Sequence, residues 1–560
     1  MLVKLNVGVG DTLFEMRRYT MHMMDTPLLL TGFLNRAERY FGHKKIISRT
    51  GENSIHEFTY KEYVKRTRKL AHALEKLGMT RGTKVATFCW NHHRHLEAYF
   101  AVPCAGAVLH MVNIRLFPEH IIYVVNHAED EIILVDDSLL PLVEAVAPHF
   151  KTVKTYVICG DNVDLSKTSL PNAYSYEELL AEASGDYVFP EDLDENSPAG
   201  MCYTSATTGM PKGVVYTHRS IVLHSSIMAF ADGVGLKERD VVLPVVPMFH
   251  ANAWGLPFAC VNIGATQVLP GPMFTPQLIL DLFEQYNVTV SAGVPTIWLG
   301  VLQEQLANER DLSHLRSVVC GGSASPLGLI RAFEEMGIEY YTGFGMTETS
   351  PLVSLSMLTS EMDNYSFDEK MEVRLTQGLT MPFVETRIIN ENGDVPWDGK
   401  TMGEIIVRGP WIAAEYYKDE RTDEAFKDGW LYTGDIAVYT PDGYIRITDR
   451  TKDLIKSGGE WISSIELENA LMTHNKVFEA AVIAIPHEKW IERPLACVVP
   501  KPEFKGNISK EELLESLINQ FPKKWVPDDI VFLEEIPKTS VGKFLKAKLR
   551  DELKDYTVQS

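Results

Sequence analysis

The sequence predicts an α/β protein built on parallel sheet, with a smaller α+β unit at its end. Three observations carry this. Residues 61–140 alternate between helical and strand periods, and the same rhythm returns across 278–320. Beyond Arg450 the pattern shortens into a compact α+β segment of about 110 residues. A chain of 560 residues has room for several domains, or for one large domain with a satellite.

Taken in order, 28–41 has amphipathic spacing and 45–48 reads as a strand. Helix is predicted over 63–77 and 95–107, and strand over 84–89 and 132–135. The apolar runs 199–203 and 214–216 read as two strands around a polar loop, with a helix starting near Ser220. Then come helix 278–286, strand 288–292, helix 296–308, strand 317–320 and strand 337–341. From about Gly378 the texture changes to short strands, 385–389 and 403–408, with a turn at Pro441-Asp442-Gly443. In the last segment, helix 464–473 precedes strand 480–485. A further helix opens on the capping box Ser509-x-x-Glu512, whose side chains satisfy two free N–H groups.

Composition sets outer bounds. Hydrophobic residues make up 45% and charged residues 23%, an ordinary globular balance. The formal net charge of −21 disfavours nucleic acid and anionic membrane surfaces as partners. Residues 450–560 are nearly balanced, with 17 Lys+Arg against 18 Asp+Glu, so the acidic excess lies before them. The seven cysteines are far apart and form no C-x-x-C, and read as small buried hydrophobes in a reducing compartment. No signal peptide is expected in the first 20 residues, and no run approaches the roughly 18 apolar residues of a membrane span. The expectation is a cytoplasmic protein with no integral membrane segment.

Several stretches carry chemistry. Thr204-Ser205-Ala206-Thr207-Thr208-Gly209-Met210-Pro211-Lys212-Gly213 combines hydroxyls, backbone N–H groups, glycines and one ammonium, a set that suits a multiply charged anion such as a phosphate chain. It departs from a Walker loop, because Pro211 precedes the lysine and Gly213 follows it. Read alone, it is equally an ordinary polar hairpin. In Gly343-Phe344-Gly345-Met346-Thr347-Glu348, the glycines let a ligand lie against backbone, Phe344 offers an aromatic face, and Glu348 can hold a hard cation. Asp435 can accept from ribose hydroxyls, although Asp after Gly is commonly a turn residue. Asp449 to Glu460 reads as a charged joint, and Pro537 to Lys543 as an exposed loop. His250 and Trp254 follow an apolar strand and either line a pocket or pack in the core. His92, His93 and His95 lack an acidic or cysteine partner set in the sequence, which argues against a metal site there.

Together and in this order, TSATTGMPKG, GFGMTE, YTGD, DRTKDLIKSGGEWIS and PKTSVGK resemble the AMP-forming acyl-CoA synthetases of the adenylate-forming superfamily. The resemblance runs from about Thr31 to Lys554. PMFHANAW and KDLIKSGGEWISSIELENAL look closest to the medium- and long-chain fatty acyl members. It implies a large N-terminal domain (1–449) with two mostly parallel α/β sheets and a small β-barrel-like subdomain, a hinge (450–453), and a small mobile α+β cap (454–560). It also implies ATP, Mg²⁺ and CoA, a fatty acid substrate, and a homodimer. Thr204, Ser205, Thr207, Thr208, Gly209 and Lys212 would hold the β- and γ-phosphates, and Thr347 would lie beside the α-phosphate. Glu348, with Thr204, would hold the metal. Gly322, Ser323, Ala324, Phe344 and Gly345 would border adenine, while Asp435 and Arg450 would bind ribose. His250 and Trp254 would border the acyl pocket, with Trp254 as its gate. Lys543 would serve acyl-AMP formation, and Lys452 would be the hinge. Lys456 with Ser457, Gly458 and Gly459 would serve the CoA step.

Two departures from the family pattern stand out. Ala206 replaces a glycine, and Phe344 replaces a tyrosine; neither removes a charge or a metal ligand. Two other readings use the same motifs: an aryl-CoA or acyl-AMP ligase with another acid or acceptor, and a non-catalytic acyl-adenylate binder.

Overall fold

The computed structural model describes residues 23–51, 54–204, 209–457, 460–487, 489–539, 544–554 and 556. Two large sheets form its body. The first has seven strands in the spatial order Ala173–Ser175, Thr155–Cys159, Ile132–Asp136, Lys84–Phe88, Val108–Met111, Pro198–Tyr203 and Gly213–Thr217. All run parallel except Gly213–Thr217, which returns antiparallel beside Pro198–Tyr203.

The second sheet has nine strands. Its parallel centre runs Glu339–Gly345, Ser317–Cys320, Val290–Gly293, Val241–Pro244, Thr266–Leu269 and Lys45–Arg49. Antiparallel strands close both edges: Ile55–Thr59 on one side, Leu352–Leu355 and Leu379–Thr380 on the other. Helices cover the faces of both sheets, so Ile132–Asp136, Thr155–Cys159 and Val290–Gly293 are buried at every position. The chain therefore shows continuous apolar runs at these strands rather than alternation. Helix Tyr60–Lys76, packed over this layer, starts at a full capping box between Thr59 and Glu62.

A third sheet of six antiparallel strands includes Glu385–Asn390, Gly403–Arg408, Trp430–Tyr439 and Ile445–Arg450. The barrel-like subdomain takes this open form; among the described residues no closed barrel exists. The strands after residue 454 form one further sheet: Glu460–Ile462, Ile455–Ser457, Ile491–Pro500, Val477–His487 and Asp529–Phe532. Its faces carry their own apolar clusters, one around Ile455, Leu467, Val482 and Leu513, the other around Ile483, Cys497 and Leu549.

This unit meets the rest of the chain next to the joint. Ser464 donates through both its N–H and Oγ to Asp449 at 2.6 Å, and Ser463 Oγ donates to the Thr448 carbonyl. Behind Ser464 the buried Lys546 ammonium reaches Glu468 at 2.6 Å. Asp449 is 1% exposed, so the joint is buried where it begins and is not simply a solvated linker.

Three sequence expectations need correction. Strand 337–341 extends to Gly345, so Gly343 and Phe344 belong to the strand end and not to a turn after it. The Tyr432-Thr433-Gly434-Asp435 stretch lies inside Trp430–Tyr439, where Gly434 at φ 72° marks an irregularity that aims Asp435 inward. Only half of the Ser509 capping box forms. The Glu512 N–H donates to Ser509 at 3.1 Å, but its carboxylate pairs with Lys476 at 2.8 Å, a stronger charged partner than a backbone N–H. The seven cysteines are all buried and free.

The second and third sheets meet at Gly378, whose carbonyl accepts from Ile445 at 2.9 Å. Its φ is 85°, and a Cβ there would lie 1.9 Å from the Leu355 carbonyl. Gly378→Ala is expected to destabilise the protein by more than the roughly 1–2 kcal/mol of positive φ alone, read as a lowered Tm in thermal unfolding.

Candidate active site

The two antiparallel hairpin strands Pro198–Tyr203 and Gly213–Thr217 bring Thr204 and Lys212 to the carboxyl end of the first sheet. The Lys212 N–H donates to Thr204 Oγ1 and the Thr204 N–H to the Lys212 carbonyl, each at 3.0 Å. The hairpin neck is thus closed at Thr204 and Lys212. Strand Glu339–Gly345 delivers Met346, Thr347 and Glu348 from the second sheet to the same place. Tyr216 anchors that segment by donating to the Thr347 carbonyl at 2.8 Å.

Between the sheets lies a cavity of about 530 Å³. Its polar lining, here the polar end, includes Thr204, Lys212, Thr347, Glu348, Arg421 and Arg450. Its apolar lining, here the apolar arm, includes Met228, Val234, Leu256, Ala292 and Val319 of one packed cluster, with Trp254 against it. The apolar arm opens where strands Val241–Pro244 and Val290–Gly293 send their connections to opposite sides, the usual crevice of an open parallel sheet. The connection from Val241–Pro244 carries His250 and Trp254. It runs through consecutive left-handed residues, with φ of 37°, 51°, 48° and 56° from Ala251 to Trp254. Each costs about 1–2 kcal/mol outside glycine, so strain is held at the mouth of the apolar arm.

Charges in the polar end are arranged around Glu348. Its carboxylate is 3% exposed and lies 3.8 Å from the Lys212 ammonium. Tyr416 stands between them: Lys212 donates to the Tyr416 hydroxyl and that hydroxyl donates to Glu348 Oε1, both at 2.6 Å. Burial lowers the pKa of Lys212, and the nearby Glu348 carboxylate opposes that shift. Asp435 pairs with Arg450 at 3.0 Å, and this carboxylate holds the Arg450 guanidinium above its ordinary value. The other Asp435 oxygen, Oδ2, is buried with no partner among the described residues. A buried acceptor without a donor is costly, and a ligand hydroxyl would relieve it.

Comparison with known proteins decides the family. Residues 33–417 match the AMP-binding enzyme model, and 466–543 match the AMP-binding enzyme C-terminal domain. The chain is 50% identical to a long-chain-fatty-acid–CoA ligase of Thermus thermophilus, over 97% of this chain and 98% of that one. It is 42% identical to a 3-methylmercaptopropionyl-CoA ligase of Ruegeria lacuscaerulensis, over 95% and 98%. Its fold resembles the crystal structure of ATP-bound MatB from Rhodopseudomonas palustris, with TM-score 0.80 and 26% identity over 94% of this chain and 99% of that one. The chain belongs to the AMP-forming acyl-CoA synthetases. These enzymes join an acid to AMP at the expense of ATP and then transfer the acyl group to CoA.

Of the described residues that this synthetase family pattern singles out, most meet at the cavity. Thr204, Lys212, His250, Trp254, Gly322, Phe344, Gly345, Thr347, Glu348, Arg450 and Lys452 line it. Phe344 is largely buried, 7% exposed, packed in the same apolar cluster as Val319 and Leu352. Ser323 and Ala324 line a second cavity shared with Phe544 and Lys546. Lys456 and Ser457 lie elsewhere. The Lys456 ammonium sits 4.8 Å over the exposed Trp461 ring, and Ser457 accepts from Arg493 at 3.1 Å. Gly209 is described but does not line the cavity, whereas Ser205, Ala206, Thr207, Thr208, Gly458, Gly459 and Lys543 lie outside the described residues.

A carboxylate with neighbouring hydroxyls, Glu348 with Thr204 and Thr347, is a hard oxygen set suited to Mg²⁺. The histidine cluster turns out differently from its sequence. Cys89 and Asp136 do come to His92, with ligand atoms within 4.8 Å of one another. However, His92 Nδ1 accepts the His95 N–H at 3.3 Å as the N-cap of helix His93–Cys104. By this hydrogen-bond pattern the ring proton is on Nε2, which donates to Asp136, so the cluster is a helix cap and a hydrogen bond to a carboxylate.

Sequence reasoning missed Tyr416 and Arg421. Arg421 pairs with Asp419 and donates to the Met210 carbonyl at 3.0 Å, tying a distant segment to the loop. Nothing in Ala413-Ala414-Glu415-Tyr416-Tyr417 marks this, because the contacts are made across the sheets.

The depressed Lys212 means that its charge costs stability. That cost is absent above the ordinary lysine pKa, grows as pH falls from the ordinary pKa to the lowered one, and is complete below it. With ¹³C-methylated lysines, the Lys212 resonance is expected to titrate below 10.5, and lower still in Glu348→Gln, which removes the opposing carboxylate.

Proposed function

We propose that the acid activated here is a fatty acid, and that the cavity holds its reaction with ATP. The observation that carries this is the lining of one cavity, which holds both charged side chains and a packed apolar cluster. In the first step an acid oxygen attacks the α-phosphorus of ATP, the bond to the bridging oxygen breaks, and pyrophosphate leaves. In the second, the CoA thiol attacks the acyl carbon and AMP leaves.

The residues take the following parts in this reading. The 204–212 loop and Lys212 hold the outer phosphates, and Thr347 borders the α-phosphate. Glu348 with Thr204 holds Mg²⁺, which when bound offsets phosphate charge. Asp435 Oδ2 receives a ribose hydroxyl donor, with Arg450 paired to the other oxygen. Phe344, Gly345 and Gly322–Ala324 border the base, and His250 and Trp254 border the acid. Lys543 stabilises charge growing on the transferring oxygens. Residues 454–560 form a cap that turns about 450–453, at Lys452, to replace Lys543 with the Lys456–Gly459 segment. Phe544 and Leu545 beside 322–326, with Lys456 facing away, support an orientation belonging to the first step. The reading includes a homodimer in the cytoplasm. Among the described residues no helix is long and apolar enough to cross a membrane.

Incubation with ATP, Mg²⁺, CoA and acids from butyrate to stearate, with benzoate and 3-methylmercaptopropionate alongside, tests the proposal. AMP, pyrophosphate and fatty acyl-CoA are expected, with kcat/KM rising with chain length until the apolar arm is filled. Formation of ADP, or turnover of benzoate alone, would overturn it. Lys543→Ala is expected to lower acid-dependent pyrophosphate exchange by about 100-fold or more, while supplied acyl-AMP still reacts with CoA. Lys456→Ala is expected to do the reverse.

A further inference from the structure

Tyr416 has no part in the mechanism above, yet it occupies the centre of the charged end. Its hydroxyl is 2.6 Å from both the Lys212 ammonium and Glu348 Oε1, while those two charges stay 3.8 Å apart. Among the described residues no other hydrogen bond reaches the Glu348 carboxylate. The ring is 3% exposed and packs edge-on against Phe426, with centroids 5.1 Å apart. Its backbone is held from three sides. The Ala413 N–H donates to the Glu348 carbonyl at 2.8 Å, the Tyr417 N–H to the Gly213 carbonyl at 2.9 Å, and the Tyr416 N–H to Thr422 Oγ1 at 3.1 Å. The phenol is therefore pinned between the two segments, with its hydroxyl bonded to both opposite charges.

We propose that Tyr416 is a positioning residue that keeps Lys212 and Glu348 from closing into a direct ion pair, leaving each open to its own ligand. The inference rests on the reading in which Lys212 meets the outer phosphates and Glu348 meets a divalent cation. A half-buried ammonium and a buried carboxylate left without an intervening donor move into direct contact at about 2.7–2.9 Å. An incoming phosphate and an incoming cation would then each have to break that pair. With the hydroxyl present, Glu348 keeps a neutral donor that a cation displaces at small cost, and Lys212 keeps an acceptor that a phosphate oxygen replaces. Burial and the Glu348 carboxylate keep the phenol protonated, so it adds no charge of its own.

Tyr416→Phe keeps the ring and removes the spacer. In the ligand-free variant, the ¹³C-methylated Lys212 resonance is expected to titrate at higher pH than in the parent, because the carboxylate comes closer. The Kd for Mg-ATP by calorimetry and the Mg²⁺ half-saturation are expected to rise roughly tenfold, with KM for acid and for CoA unchanged. Glu348→Gln should abolish the effect of Tyr416→Phe on the Lys212 titration, since no ion pair can then form. An unchanged Lys212 titration, unchanged Mg-ATP affinity, or a loss confined to Tm would overturn the proposal. Lys212→Ala separates the two levels. If it leaves Mg-ATP affinity intact, the reading of the site fails. If it weakens affinity while Tyr416→Phe does not, only the role of Tyr416 fails.

Discussion

The site depends on one short run of backbone, 411–417, that hydrogen-bonds to both halves of the charged end. Ala413 binds the Glu348 segment and Tyr417 binds Gly213 at the hairpin. The Trp411 indole donates to Leu352 at 3.0 Å, and Ser350 donates to the Trp411 carbonyl at 2.7 Å. Without this run, the hairpin of the first sheet and the strand end of the second would keep the Tyr216 hydrogen bond to Thr347 but lose the frame that spans both. Parallel sheets place their functional residues at carboxyl ends, but two such ends need a third element to fix their separation.

That separation sets the electrostatics. Lys212 is held in a buried place that disfavours its charge, with only a partial counter-charge from Glu348. An anion entering the cavity therefore meets an under-compensated ammonium, and the cost of keeping it charged is recovered on binding. Asp435 follows the same logic with opposite sign: Arg450 satisfies one oxygen, and the other waits for a donor. At the apolar arm the cost is conformational and sits in the left-handed turn of Ala251–Trp254.

Much of the body was legible in the chain because its strands and helices differ in period and are bounded by turn residues. Strand Ser317–Cys320 coincides with its expected range, and helix Thr296 to Asn308 differs from the observed Pro295–Ala307 by one residue at each end. The misreadings share a cause. Gly343 and Phe344 carry turn-like residues yet lie in a strand, because the neighbouring strand Leu352–Leu355 pairs with them. Glu512 leaves its cap for Lys476, and His92 gains Asp136 beside the nearby Cys89, through contacts between elements far apart in sequence. Local pattern contains no trace of such partners.

The sequence by itself determined the order of the motifs, and with it the family and the type of reaction. Hydroxyls, glycines, a lysine and acidic groups at set spacings are chemical inventory, and inventory survives without coordinates. Only the tertiary structure decided which of these groups face one another. It placed Tyr416 between Lys212 and Glu348, left one oxygen of Asp435 unmatched, and joined an apolar arm to the charged end. Those are distances across sheets, set by packing, and no local spacing along a chain encodes them.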